Sequence, residues 1–242
     1  MLDWTSYIGK VFTGDCMTLM AAMPDGCVDA VITDASFPSR ADVGGGPGRF
    51  AGWMCVMPRI TNLALVKWSV PGLVEIAGAV PVGWKWRHTL VWHKPMTHGR
   101  IWASSLYPHW EPVVILGING KRNGARNASD FLSCVPCMKG MAEDVGHPTQ
   151  MPERVARWLI EDWTQPSDLI LDPFLGSGTL AVVAERLGRR WIGCEISPEY
   201  AEMATKRILR AREQLALPIE PQPAPGIFKH PTLDLDTEGV PG

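Results

Sequence analysis

Residues 171–179 read Leu-Asp-Pro-Phe-Leu-Gly-Ser-Gly-Thr, and an acid, Glu195, closes the next apolar run. Glycines in such a loop let the backbone approach a ligand closely, and an acid ending the following strand can accept from a ribose hydroxyl. That is the chemistry of a nucleotide cradle; the plain alternative is a tight turn without a ligand. A nicotinamide dinucleotide fits less well, because Val182 and Val183 stand in the part of the helix where the fingerprint needs its third glycine. Dinucleotide folds normally open with this unit, whereas here it arrives after residue 165. The N-terminal half must then carry the reacting groups. Its own strand-end acid is Asp34, which closes the apolar run 28–33 and leads into Ala35-Ser36-Phe37-Pro38.

The pattern around these residues says what must hold them. Residues 168–171 and 190–194 read as buried strands flanking a helix over 179–187, and a last helix follows over 198–215. Val155, Leu159, Ile160 and Trp163 recur at helical spacing over 152–163, with Pro152 in the first turn. Upstream, residues 63–68, 89–92 and 112–116 read as further strands, with a short helix after Asp15 and another after Pro71. Alternating strands and helices predict an α/β fold with a mostly parallel sheet covered by helices on both faces. Residues 38–58, rich in glycine, read as a mobile loop near the site, and 117–146 as polar and irregular. Residues 1–217 form one domain on this reading, and the proline-rich stretch 218–242 a flexible tail.

Composition narrows the classes. The chain has 242 residues, 46% of them hydrophobic, and a net charge of −2, so any nucleic-acid contact must rest on a local basic surface. The apolar region 63–82 is interrupted by Lys67, Pro71, Glu75 and Pro81, which excludes a membrane span there and, with no export signal visible, points to the cytoplasm. Six cysteines include one close pair, Cys134 and Cys137, but no second pair to complete a zinc site. They are expected to stay reduced, with no metal bound. Most of the eleven tryptophans are expected in core and cleft packing.

The order of segments resembles the S-adenosylmethionine-dependent DNA amino-methyltransferases. Val28-Asp29-Ala30-Val31-Ile32-Thr33-Asp34 is similar to the strand that delivers their catalytic motif. Residues 86–95 and 109–116 are similar to two later sheet segments. His147-Pro148-Thr149-Gln150-Met151-Pro152-Glu153-Arg154 resembles the segment before the cofactor strand, and Asp172-Pro173-Phe174-Leu175-Gly176-Ser177-Gly178-Thr179 the cofactor loop. Catalytic part first and cofactor loop last is the circularly permuted order of the beta class, on a Rossmann-like methyltransferase fold. The resemblance covers roughly residues 11–212.

It implies roles residue by residue. Asp172, Pro173, Phe174, Gly176, Ser177, Gly178 and Thr179 would cradle S-adenosylmethionine. Glu195 would accept from its ribose, Asp15 from its adenine amine, and Thr149 would meet its amino-acid end. Asp34 and a backbone carbonyl would each accept one hydrogen of an exocyclic amine, pulling the nitrogen toward tetrahedral geometry as it attacks. The base would be flipped out of double-stranded DNA, with Phe37 stacking on it. Arg40, Arg49, Lys121, Arg122 and Arg126 would meet phosphate, with 117–146 as a small target-recognition segment; its size suggests a short target or a homodimer. Asp in place of Ser at 34 favours adenine N6 over cytosine N4, and the resemblance also brings in DNA methylation within restriction-modification.

The family motif places proline at both 35 and 36, where this chain has Ala35 and Ser36. Each missing proline adds about 0.4–1 kcal/mol of chain entropy to overcome, so the turn is expected to be less rigid. The alternative functional reading is accordingly a protein that binds DNA or cofactor with weak or no turnover. By itself Asp34 would also read as a strand-end cap.

Overall fold

The computed structural model describes residues 2–35, 47–95, 109–118 and 129–216. A 3-10 turn (Trp4–Tyr7) leads into β1 (Val11–Thr13) and α1 (Cys16–Ala22). Asp15 caps α1, its Oδ1 accepting from the Met17 N–H at 2.9 Å. There follow β2 (Ala30–Asp34), α2 (Pro47–Ile60), β3 (Leu63–Lys67), α3 (Leu73–Gly78), β4 (Lys85–His93), β5 (Trp110–Gly117) and β6 (Phe131–Ser133). The chain then runs through α4 (Glu153–Trp163), β7 (Leu169–Asp172), α5 (Thr179–Arg186), β8 (Arg190–Glu195) and α6 (Pro198–Ala216).

Among the described residues one eight-stranded sheet has the order β1-β8-β7-β2-β3-β5-β4-β6. Only β5 runs against its neighbours, pairing antiparallel with β3 and β4. The mostly parallel sheet expected from the sequence is therefore present, with layers on both faces. On one face Ile32, Leu65 and Ile115 pack with Val155 and Leu159 of α4, Leu180 and Val183 of α5, and Ile208 of α6. On the other, Val31, Ala64, Val66 and Val114 pack with Leu19 and Met20 of α1, Trp53, Met54 and Met57 of α2, and Ile76 of α3. Successive strand residues thus enter opposite layers, as the pleat requires. Each Val, Leu or Ile fully buried in this way contributes about 1.5–3 kcal/mol.

Two expectations are corrected. Residues 47–58, assigned to a loop on account of their glycines, are helical in α2. Pro47 opens that helix at a position where its missing N–H costs nothing, and Trp53, Met54, Met57 and Ile60 form its buried stripe. Arg59 near its end hydrogen-bonds the carbonyls of Met20 and Met23, a cation at the C-terminus of α1. Within 117–146, read as irregular, residues 131–133 form β6 and extend the sheet beside β4.

Candidate functional site

A row of ionisable side chains follows the strand order along one rim of the sheet. This is the rim where the parallel strands end, and because β5 runs the other way it is also where β5 begins. From β8 to β5 the rim carries Glu195, Asp172, Asp34, Lys67 and Glu111, with Lys94 just beyond β4. Ligands of open α/β sheets bind outside the carboxyl ends of the strands. Most of the expected site residues that lie among the described ones are brought to this rim.

The cradle occupies the β7–β8 side. Glu195 is buried, and its two carboxylate oxygens accept from the Gly176 N–H at 2.8 Å and the Ser197 N–H at 2.9 Å. The loop and the acid thus hold each other. Thr13 lies in register with Glu195, which sets Asp15 at the next strand end. Gly176 has φ +52°, a conformation that favours glycine. Gly178 has φ +78° and a second constraint: a Cβ there would stand 2.9 Å from the Cβ of Ala204 in α6. Its absence of a side chain serves the approach of α6 as well as any ligand.

His147 packs edge-on to Tyr200 of α6 with centroids 4.6 Å apart, and a Cβ on Gly176 would stand 3.4 Å from its Nε2, so the His-Pro-Thr segment and the cradle do meet. Thr149 there is exposed and donates its N–H to His147 Nδ1 at 3.3 Å. Pro173 is buried, while Phe174 is half-buried and packs edge-on against Trp53 of α2 at 5.2 Å. The hydroxyls of Ser177 and Thr179 face inward, 3.2 Å apart. Arg207 of α6 donates to Thr179 Oγ1 at 2.7 Å and, on its other side, to Glu153 at 3.0 Å. Those hydroxyls are committed to a buried network, so these residues offer a ligand main chain and not side chain.

Asp172 is buried between the two halves of the rim. Its Oδ1 accepts from the Thr33 hydroxyl at 2.7 Å and the Phe174 N–H at 3.1 Å. Burial pushes its pKa up to about 7; the two hydrogen bonds work against that rise, and the Asp34 and Glu195 carboxylates add to it. Between its ordinary value near 4 and pH 7 the folded chain holds this proton while the unfolded chain has released it. Stability therefore falls as pH rises through that window. Asp172→Asn keeps an oxygen for both hydrogen bonds, and is expected to stabilise the fold at pH 8 by on the order of a few kcal/mol. Urea midpoints at pH 5 and pH 8 check this; an equal gain at both would refute the ionisation account.

On the β2–β3 side, Asp34 Oδ1 accepts from Lys67 Nζ at 2.9 Å, the two residues being partners in register. Lys67 Nζ also pairs with Glu111 Oε2 at 2.7 Å, and the other oxygen of Glu111 takes Lys94 Nζ at 2.5 Å. The indole of Trp92 lies 5.7 Å from one ammonium and 5.6 Å from the other. Burial disfavours the Lys67 ammonium, but Asp34 and Glu111 outweigh it and hold its pKa above the ordinary lysine value. Burial likewise opposes the Glu111 carboxylate, and Lys67 with Lys94 outweighs it and holds that pKa low. These three residues were not among those expected at the site. Lys67 closes the apolar strand β3, Glu111 is the one charge of β5, and Lys94 follows the apolar end of β4, which was the available signal.

Ser36, Phe37, Arg40, Lys121, Arg122 and Arg126 lie outside the described residues; Arg49 falls within α2. Among the described residues no group of three or more His, Cys, Asp or Glu side chains could hold a metal ion, and Cys134 is buried with Cys137 half-buried. No helix among them is long and apolar enough to cross a membrane.

The sequence model of the N6/N4 DNA methylases, described as DNA methylase, matches residues 72–206. The chain belongs to that family. The match begins after Asp34 and takes in Lys94, Glu111 and the whole cradle. A type II methyltransferase of Streptococcus pneumoniae, M2.DpnII, is 53% identical over 62 residues, 26% of this chain and 23% of that one. The matched stretch thus spans about a quarter of that relative's length. The type II methyltransferase M.BglII of Bacillus subtilis is 25% identical over 247 residues, covering 82% of this chain and 68% of its own. Among solved structures, an M1.HpyAVI–SAM complex has a TM-score of 0.66 at 22% identity, covering 82% of this chain and 98% of that one. The likeness establishes a shared Rossmann-like fold.

Proposed function

We propose that this family member transfers a methyl group from S-adenosylmethionine to the exocyclic amine of a base flipped out of double-stranded DNA, adenine N6 in preference to cytosine N4. The observation that carries the reading is the rim itself. Asp34 stands at the end of the central strand β2, one strand from Asp172 and two from Glu195. A carboxylate able to accept from an amine is thus beside a loop able to cradle a nucleotide.

The residues fit the cofactor's chemistry. Glu195 has its oxygens oriented by two amides and, as a carboxylate, can accept further hydrogen bonds from ribose hydroxyls. Asp15 on the neighbouring strand end suits an adenine amine, and Thr149 the amino-acid end. The N-terminus of α5 favours that end's carboxylate. When bound, S-adenosylmethionine supplies a sulfonium methyl that leaves as a carbon electrophile, its bonding pair staying on sulfur. Asp34 and a main-chain carbonyl of Ala35 or Ser36 hold the two amine hydrogens, direct the nitrogen lone pair and take up the positive charge it develops. Phe37 stacks on the extruded base, while Arg40, Arg49, Lys121, Arg122 and Arg126 supply phosphate contacts. The preference for adenine rests on aspartate at position 34.

Labelled-methyl transfer to mixed-sequence duplex DNA tests the reading, followed by base analysis of the product. N6-methyladenine is the expected product. N4-methylcytosine would overturn the base preference alone. Cofactor binding without incorporation would overturn the transfer and leave a binding protein.

A further inference from the structure

The family pattern stiffens the turn after the catalytic acid with two prolines, and this chain lacks both. What stands there instead is a second contact with β3. The N–H of Ala35 donates to the carbonyl of Lys67 at 3.2 Å, carrying the β2–β3 ladder one residue past Asp34. A proline at 35 has no N–H and cannot make that bond. Ala35 is also buried, at 1% exposure, so the bond is shielded from water. The same Lys67 reaches Asp34 with its side chain, at 2.9 Å, and is itself only 5% exposed.

We propose that Lys67 is a positioning residue for Asp34, clamping the acid by its ammonium and the following turn by its carbonyl, in place of the missing prolines. The proposal rests on the methyl-transfer reading above. The ammonium is not free to swing away. Glu111 holds it from β5 at 2.7 Å, and Lys94 pins Glu111 in turn at 2.5 Å. Asp172 on β7 is an ionisable group on the opposite side of Asp34 from Lys67, and the Thr33 hydroxyl donates to its Oδ1 at 2.7 Å. Asp34 therefore sits between a fixed cation on one side and a fixed carboxyl on the other. The neighbouring prolines would constrain φ; this arrangement constrains the acid through its partners. Lys67 and Ala35 form one device, because a lysine carbonyl without an N–H opposite it would leave the turn held at one end.

The full chain is tested in two ways, kinetically and by backbone amide exchange. Lys67→Met is expected to lower kcat roughly 10²-fold, the cost of displacing a reacting group by about 1 Å, with S-adenosylmethionine affinity within about twofold of the parent. Lys67→Arg, which keeps a cation opposite Asp34, is expected to recover the rate to within about tenfold. Ala35→Pro removes only the main-chain half and should lower kcat about tenfold where a simple lack of rigidity would have it rise. In the absence of DNA, Lys67→Met should speed exchange of the Ala35 amide at least about tenfold while leaving the strand amides of Val31 and Ile32 unchanged. A folded Lys67→Met enzyme within about threefold of the parent rate overturns the proposal, as does a gain from Ala35→Pro. If Lys67→Met does not fold, Ala35→Pro decides. No methyl transfer by the unsubstituted protein would overturn the functional reading instead, and the Ala35 exchange rate then decides the clamp alone.

Discussion

Asp34→Ala is expected to lower methyl transfer by roughly 10²–10⁴-fold, the range for removing a positioned group that handles a proton or its charge. Affinity for S-adenosylmethionine should stay near that of the parent, because Glu195 lies two strands away and it and the glycine loop hold each other without Asp34. The variant also removes one carboxylate from the Lys67 ammonium, while Glu111 still holds it. Asp34→Asn is therefore the companion: it keeps an oxygen for the ammonium and for the amine hydrogen but loses the charge. Its rate should fall between parent and alanine. Single-turnover transfer with saturating cofactor and DNA reads the effect. An Asp34→Ala protein that transfers at the parental rate would remove Asp34 from the chemistry. One that loses cofactor binding in step with rate would make it a structural residue.

The parts that were legible in the sequence are local. The β7–loop–α5–β8 unit and Glu195 stand out because strand, glycines, helix and acid all fall within residues 169–195. Asp34 was legible for the same reason, as an acid at the end of an apolar run. The helix α2 was not: residues 44–48 hold four glycines and a proline, and that punctuation outweighed the spacing of Trp53, Met54, Met57 and Ile60. The three-residue strands β1 and β6 are too short for alternation to show. The Asp34–Lys67–Glu111–Lys94 chain could not be seen at all. Three of its members belong to separate strands and Lys94 follows a fourth, and only the register of β2 with β3 and the reversed direction of β5 set them side by side. The proline loss at 35 and 36 read as a plain deficit of rigidity, because the Ala35–Lys67 bond exists only across that register.

Glu111→Gln is expected to cost about 3 kcal/mol of folding stability at pH 7, the low end for breaking a buried pair by removing one partner. Glu111 contacts both Lys67 and Lys94, whose side chains are 6% and 9% exposed. Glutamine preserves the shape but removes the carboxylate charge that both ammoniums share. The lower figure is chosen because Glu111 itself is 24% exposed and water can reach it. The pH dependence has a definite sign. Its pKa is held below the ordinary value, so its contribution is fully present above the unfolded value near 4.3 and is lost as pH falls through the lower folded one. Urea midpoints of parent and variant should thus lie far apart at pH 7 and converge in more acidic solution. A gap that stays constant with pH would mean that glutamine disturbs packing and not charge. Because Lys67 ties Glu111 to Asp34, the loss should also reach the rate: Glu111→Gln frees one end of the ammonium that positions the acid. Combined with Lys67→Met, the rate loss should be smaller than the two single losses added as free energies, since with the ammonium gone Glu111 no longer has a route to Asp34.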